Sequence, residues 1–474
     1  MDQYLPEGAR PRRSGARSRK GRHTRCDEAL PVCGNCRKSR RICQQPEFIS
    51  SKWNTFAPAV AESERGTDTP PDPNLDGQCV RTNHTYAPES RNYGRSEVQE
   101  PHGISCAAVD RELASPSAES KITREMVHLL RVYEKSIGTW MVVFDSQDTY
   151  QRELLFTVPS SPLLLNATCA LAARQLSLIR SPLTWKPVAE RYYGQAVHML
   201  ARLLNAYPSN MEFAIVATIL LCSYELLAFP GLDYQRHFKG AHTMVQSLHA
   251  YNSEISLTRA SFWIYARLEV AEALNRGSPT LHDPGLWPKV NLSDAEPVED
   301  SFSSEVLRMA AETVCVVFGE TSGGRAPRRK REMLALQGEL CTWLRLCPKP
   351  WKGVEYEEDG HVRYWFARPN FAAALVFYHL SMLLLWVELE KVQKGPDSAH
   401  EISDQVDVHA KQIILIALSS LPDSAIVVVV QPLCYAVKHV RDNTLKEDAI
   451  LFLDDTEART GFHTKSKLER QLCH

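Results

Sequence analysis

The chain has 474 residues, a formal net charge of −1, and 44% hydrophobic and 23% charged residues. That is the ordinary balance of a globular protein, not of a fibrous or wholly disordered one, and the length allows two or three domains with a sizeable core. The charge is uneven: residues 1–50 hold 12 Lys+Arg against 5 Asp+Glu, a net of +7, which leaves −8 for the rest. A basic arm on an acidic body points to a polyanionic partner for the arm alone.

Residues 1–43 are basic and cysteine-rich. No N-terminal apolar segment resembles a signal peptide, so a reducing compartment is expected. Of the 13 cysteines, four lie at Cys26, Cys33, Cys36 and Cys43, and the others are scattered, several among apolar neighbours (Cys169, Cys222, Cys315, Cys434). In a reducing compartment the scattered ones read as small buried hydrophobes. The dense group at CxxC spacing reads as a zinc site, because thiolates two residues apart reach one tetrahedral ion from a tight turn. Cys33, Cys36 and Cys43 follow a C-x2-C-x6-C pattern. Shifted back by seventeen positions, the same pattern falls on Ala16, Arg19 and Cys26, an imperfect repeat whose first CxxC is missing. Basic residues fill both halves: Lys20, Arg22, His23 and Arg25 in one, Arg37, Lys38, Arg40 and Arg41 in the other.

Residues 44–120 are poor in Leu, Ile and Val and rich in Pro, Ser, Asn, Asp, Glu and Arg. Such a segment buries too little apolar surface to offset chain entropy, so a disordered linker is expected there, with no heptad pattern for a coiled coil.

From residue 121 the pattern is helical, and residues 121–474 read as one all-α body. Ile122, Met126, Leu129, Leu130, Tyr133 and Ile137 recur at steps of three and four. Pro- or Gly-containing breaks then separate helical stretches at 161–180, 186–206, 211–229, 233–250, 256–277, 301–319, 331–346, 370–393, 402–421 and 424–441. Long breaks fall at 278–300 and 347–369. The run AIVVVV (425–430) has strand propensity but no evident partner strand, and reads as a buried helix. The apolar stretch 371–389 reaches the lower limit for crossing a bilayer, yet it carries His379 and Ser381 and closes on Glu388 and Glu390. A central helix buried on all sides is the expectation, with no membrane partner. Arg328, Arg329, Lys330 and Arg331 after a Gly-rich turn form a candidate nuclear-localisation signal, the alternative being a solvated helix start. His237 and His242, near Asp233, stand five residues apart and do not share a helix face as metal ligands would. With no P-loop, dinucleotide glycine pattern or nucleophile elbow, an enzyme is not expected.

Cys26-Asp27-Glu28, Pro31-Val32-Cys33-Gly34-Asn35-Cys36-Arg37 and Arg41-Ile42-Cys43 resemble the second part of the fungal binuclear zinc-cluster DNA-binding domain. The resemblance implies six cysteines on two zinc ions, with a short helix entering the major groove at CGG-type half-sites of double-stranded DNA. By position, Cys33 is then a bridging ligand, Cys36 and Cys43 complete one zinc, and Cys26 belongs to the other. The second bridging position falls on Ala16, its CxxC partner on Arg19, and the base-reading lysine on His23. One zinc on Cys26, Cys33, Cys36 and Cys43 is therefore expected, with His23 either a substitute ligand or part of the basic arm. A gene-model error before Arg22 would also explain the missing CxxC. The segments 143–177, 217–248, 260–280, 429–440 and 459–472 resemble the fungal-specific transcription factor domain, an all-helical regulatory module. Its aromatics Phe262, Trp263 and Tyr265 read as core, with a small-molecule effector pocket as the alternative. Together these resemblances imply a nuclear, DNA-binding regulator of a metabolic or secondary-metabolite gene set. Its partners would be the transcription machinery and a second copy or a related zinc-cluster protein. The alternative is a regulator without specific DNA contact, acting through its helical body by pairing with or sequestering a partner.

Overall fold

The first helix, α1 (Arg124–Lys135), begins where Thr123 can cap it: its hydroxyl accepts from the Met126 N–H at 3.2 Å. Leu129, Tyr133 and, beyond the helix, Ile137 are buried, whereas Ile122, expected on the same stripe, is exposed. The computed structural model describes residues 122–473 apart from 206–210, 230–234, 291, 293–298, 320–325, 359 and 393–395. The cysteine cluster, the basic arm, the 44–120 segment and Asp233 lie outside the described residues.

Two short helices follow, α2 (Ile137–Met141) and α3 (Glu153–Thr157). Ser161 then caps α4 (Pro162–Ile179), whose first residue is a proline, the position where a missing N–H costs nothing. Next come α5 (Pro182–Asn205), α6 (Met211–Ala228), α7 (Gln235–Ser247) and α8 (Ser256–Arg276). Gly277 ends α8 in the left-handed conformation, its N–H returning to the Ala273 and Leu274 carbonyls. The second half holds α9 (Glu299–Phe318), α10 (Ala326–Leu346), α11 (Pro369–Val392), α12 (Pro396–Ala417) and α13 (Asp423–His439). It closes with α14 (Asn443–Thr460) and α15 (Lys465–Cys473), two helices beyond the predicted stretches. The described residues form an all-α fold, as expected from the periodicity.

One exception lies in the 347–369 break. β1 (Val354–Glu358) and β2 (His361–Trp365) pair antiparallel, with Val354 opposite Trp365 and Glu358 opposite His361. Gly360 takes φ +76° in the turn. The alternation of apolar and charged residues in VEYEE and HVRYW was its signal, masked because the strands are short and mostly exposed. The hairpin is pinned by the Tyr364 N–H, which donates to Ser419 Oγ at 2.9 Å.

The described helices pack as one compact unit. α4 packs on α1, α5 and α6; α11 packs on α9, α12 and α13; α8 touches α6, α9, α13 and α15. The apolar stretch 371–389 is the middle of α11, a helix 89% buried over its most apolar window. By length and composition α4 and α6 would also be long and apolar enough to cross a membrane, and both pack within the helical body. AIVVVV is helical despite its β-branched residues: Ile426, Val429 and Val430 are buried, and packing on all sides overrides local propensity. Cys169, Cys222 and Cys434 are buried in the same core, as expected of small hydrophobes, whereas Cys315, of which the same was expected, is only half-buried. Burial pushes the Cys169 and Cys434 thiols up to about 12.

Candidate functional site

α8 reads FWIYARLEVAEAL, a helix whose exposed share is small yet which carries Arg267 among apolar residues. Arg267 stands between two cavities. One, about 80 Å³, lies where α2, α6, α8, α13 and α15 meet, and is walled by Trp140, Leu226, Ile264, Val427 and Phe462. The second, about 130 Å³, lies between Met141–Thr149, the first half of α8 and the start of α9, with Trp263, Asp300 and Ser304 in its wall. Met141, Ile264 and Arg267 line both.

The polar groups of the first cavity are few. Glu272 pairs with Arg276 at 3.3 Å. Lys467 sits over the Phe462 ring, 5.3 Å from its centroid, and burial pulls its ammonium down to about 8. Asn275 Oδ1 accepts from Gln431 Nε2, while the Gln431 carbonyl oxygen is buried with no hydrogen-bond partner among the described residues. Arg267 makes no ion pair and no hydrogen bond among the described residues. Burial lowers its guanidinium to about 10, so it remains charged at neutral pH.

The aromatic trio divides between core and cavity. Phe262 and Tyr265 are fully buried in the core, and Trp263 lines the second cavity. His237 pairs with Glu225 (Nδ1–Oε1 2.8 Å), while His242 Nδ1 meets the Tyr265 hydroxyl at 3.0 Å. The two histidines thus serve different neighbours. Among the described residues no group of three or more His, Cys, Asp or Glu side chains is placed to hold a metal ion.

The basic run at the start of α10 is partly consumed by the fold. Arg329 donates to the Val316 carbonyl at 2.9 Å and to the Val317 carbonyl, and pairs with Glu388 at 3.0 Å. It thereby satisfies last-turn carbonyls of α9 that no helical N–H reaches. Arg328 pairs with Glu332 at 2.8 Å on an exposed face, and Arg331 is exposed.

Sequence reasoning missed Arg267, Lys467 and Gln431. The available signal was a cation or amide embedded in an otherwise apolar helix; periodicity does not distinguish a solvent-facing arginine from one facing a cavity.

Residues 128–266, running from within α1 to within α8, match the family described as the fungal specific transcription factor domain. No curated protein and no solved structure matches the chain. The match supports a role in transcription regulation, and the matched family is a transcription factor domain, not an enzyme family. It covers much of the wall of the first cavity, including Trp140, Leu226 and Ile264, and stops one residue short of Arg267. The resemblances read at 429–440 and 459–472 lie beyond it.

Proposed function

We propose that the chain is a nuclear, sequence-specific DNA-binding regulator of transcription. The match of residues 128–266 to a transcription factor domain carries this reading. The cysteine spacing and basic arm of residues 1–43 give it a DNA-binding end. In this reading Cys26, Cys33, Cys36 and Cys43 hold one zinc ion, which cross-links a segment too small to fold on its own core. Lys20, Arg22, Arg25, Arg37, Lys38, Arg40 and Arg41 grip phosphates, and His23 or its neighbours read bases at CGG-type half-sites. The helical body then conveys regulation to the transcription machinery, for a metabolic or secondary-metabolite gene set.

One observation favours a second reading. Ala16 and Arg19 stand where the first CxxC of the binuclear cluster would be, so half of that cluster lacks its ligands. The chain would then regulate through its helical body, by pairing with an intact relative or sequestering a partner. Zinc content of the purified full-length chain, measured with binding to a CGG-containing duplex before and after chelation, separates the two. About one zinc per chain and chelator-sensitive specific binding support the first reading. Absence of zinc and of any duplex preference rejects it in favour of the second.

A further inference from the structure

Where α8 meets α13, three side chains form a relay of hydrogen bonds that ends on an unmet acceptor. Glu272, ion-paired with Arg276 at 3.3 Å, accepts from the Asn275 amide, and Asn275 Oδ1 accepts from Gln431 Nε2. A carboxylate only accepts, so it orients Asn275, and Asn275 in turn orients Gln431. Gln431 therefore closes the relay with its carbonyl oxygen. That oxygen is buried, in a side chain 4% exposed, and has no partner among the described residues. Glu272, Asn275 and Gln431 all line the first cavity, about 80 Å³, several times the ~10–15 Å³ that one water needs. The charges around it balance. Across the two cavities that share Met141, Ile264 and Arg267, the lining sets Arg259, Arg267 and Lys467 against Asp145, Glu272 and Asp300. Three cations stand with three anions, so the lining calls for no ionic occupant, and an added buried charge would lack a counter-charge of its own.

We propose that the first cavity binds a neutral aromatic molecule carrying one N–H or O–H donor, of the indole or phenol class, with the donor on Gln431 Oε1. Three features of the wall select that chemistry. The unmet acceptor asks for a donor, because a buried carbonyl oxygen without one carries an uncompensated loss of hydration. The rings of Trp140, Phe238 and Phe462 offer edges and faces to another ring. Arg267 and Lys467 stand in the same wall, and a cation is attracted to the face of an aromatic body but gains nothing from an aliphatic one. Because α2, α6, α8, α13 and α15 all contribute walls, an occupant touches five helices at once. This inference goes beyond the DNA-binding reading and does not rest on it.

The test is calorimetry on the full-length chain with three probes: indole, N-methylindole, which keeps the ring but lacks the donor, and benzoate, an aromatic anion. Indole is expected to bind saturably, and N-methylindole and benzoate about 10–100-fold more weakly. Gln431→Leu removes the acceptor and is expected to bind indole and N-methylindole alike, to within about threefold. Ala271 also lines the cavity, and Ala271→Leu, which fills part of it, is expected to weaken indole binding at least about tenfold. Cooperative melting shows that each variant is folded; should one fail it, the contrast among the three probes on the unaltered chain decides alone. The proposal is overturned if indole does not bind saturably or if N-methylindole or benzoate binds as tightly. It is also overturned if folded Ala271→Leu binds indole unchanged, or if folded Gln431→Leu keeps the preference for indole.

Discussion

Two glycines show how differently single residues constrain this chain. Gly277 and Gly461 both end helices with positive φ, at +59° and +76°. A Cβ at Gly277 would meet only Phe318, at 4.0 Å, so Gly277→Ala should cost just the left-handed strain, about 1 kcal/mol. A Cβ at Gly461 would lie 2.8 Å from Leu178 Cβ, where the turn after α14 presses on the end of α4. Gly461→Ala should therefore cost more, about 2–4 kcal/mol, strain and overpacking together. Urea denaturation of the two variants measures the difference, and equal costs would show that the close approach at Gly461 relaxes freely. Arg308 is a third such residue, buried and held by Glu305 at 2.6 Å and by Glu312. Truncating it to Ala leaves Glu305 and Glu312 without their shared guanidinium, a loss of about 3–5 kcal/mol.

At the scale of elements, α10 carries both a structural and a proposed addressing role within four residues. Arg329 caps α9 and pairs with Glu388, whereas Arg328 and Arg331 face outward. Replacing Arg328 and Arg331 by Gln should leave the melting temperature within about 1 °C, since exposed pairs contribute little. If the run is read by an import receptor, the same variant of a fluorescent fusion should lose nuclear accumulation. Arg329→Ala should instead lower stability by about 1–3 kcal/mol through orphaned carbonyls and the loss of one of the two cations on Glu388, Lys391 being the other. An Arg329 variant that is fully stable would show that the α9 carbonyls find other partners.

At the scale of the whole molecule, acid should loosen the fold through its buried histidines. His379 on α11 and His409 on α12 meet Nδ1 to Nδ1 at 2.9 Å, an arrangement in which one ring donates and the other, neutral, accepts, so the two cannot both be charged. Burial lowers His379 to about 3 and His409 to about 4, and His439 likewise to about 4. In the unfolded chain these groups protonate near 6.5. The unfolded state thus binds more protons between about pH 6.5 and pH 4, and stability falls as pH falls through that window, by up to about 1.4 kcal/mol per pH unit for each histidine. Glu269, raised to about 7 by burial, acts the other way between about 4.5 and 7, as do Glu272, Asp300 and Glu312, which burial also raises, while His242 and His282 are lowered alongside the other three histidines. The melting temperature should drop steeply between pH 6.5 and 4.5, and a His379→Gln, His409→Gln double variant should flatten that slope. A slope unchanged in the double variant would place the acid sensitivity elsewhere.

Much of the helical body was legible because its signal is local. The 3.6-residue periodicity from α1 to α13 and the punctuating Pro and Gly residues mark helices whatever they pack against. Capping residues such as Thr123 and Ser161 start them in the same way. The hairpin at 354–365 and the last two helices escaped for the same reason, since short exposed strands, the weakly amphipathic α14 and the nine-residue α15 have faint local patterns. The cysteine spacing likewise speaks from sequence alone, because metal ligation needs donors at fixed intervals. Only the tertiary structure decided that α11 packs inside protein, that Arg329 is a cap, and that Arg267 lines two cavities without an ion pair among the described residues. Those facts depend on which surfaces meet, and a charge becomes costly only when distant parts of the chain have taken its water away.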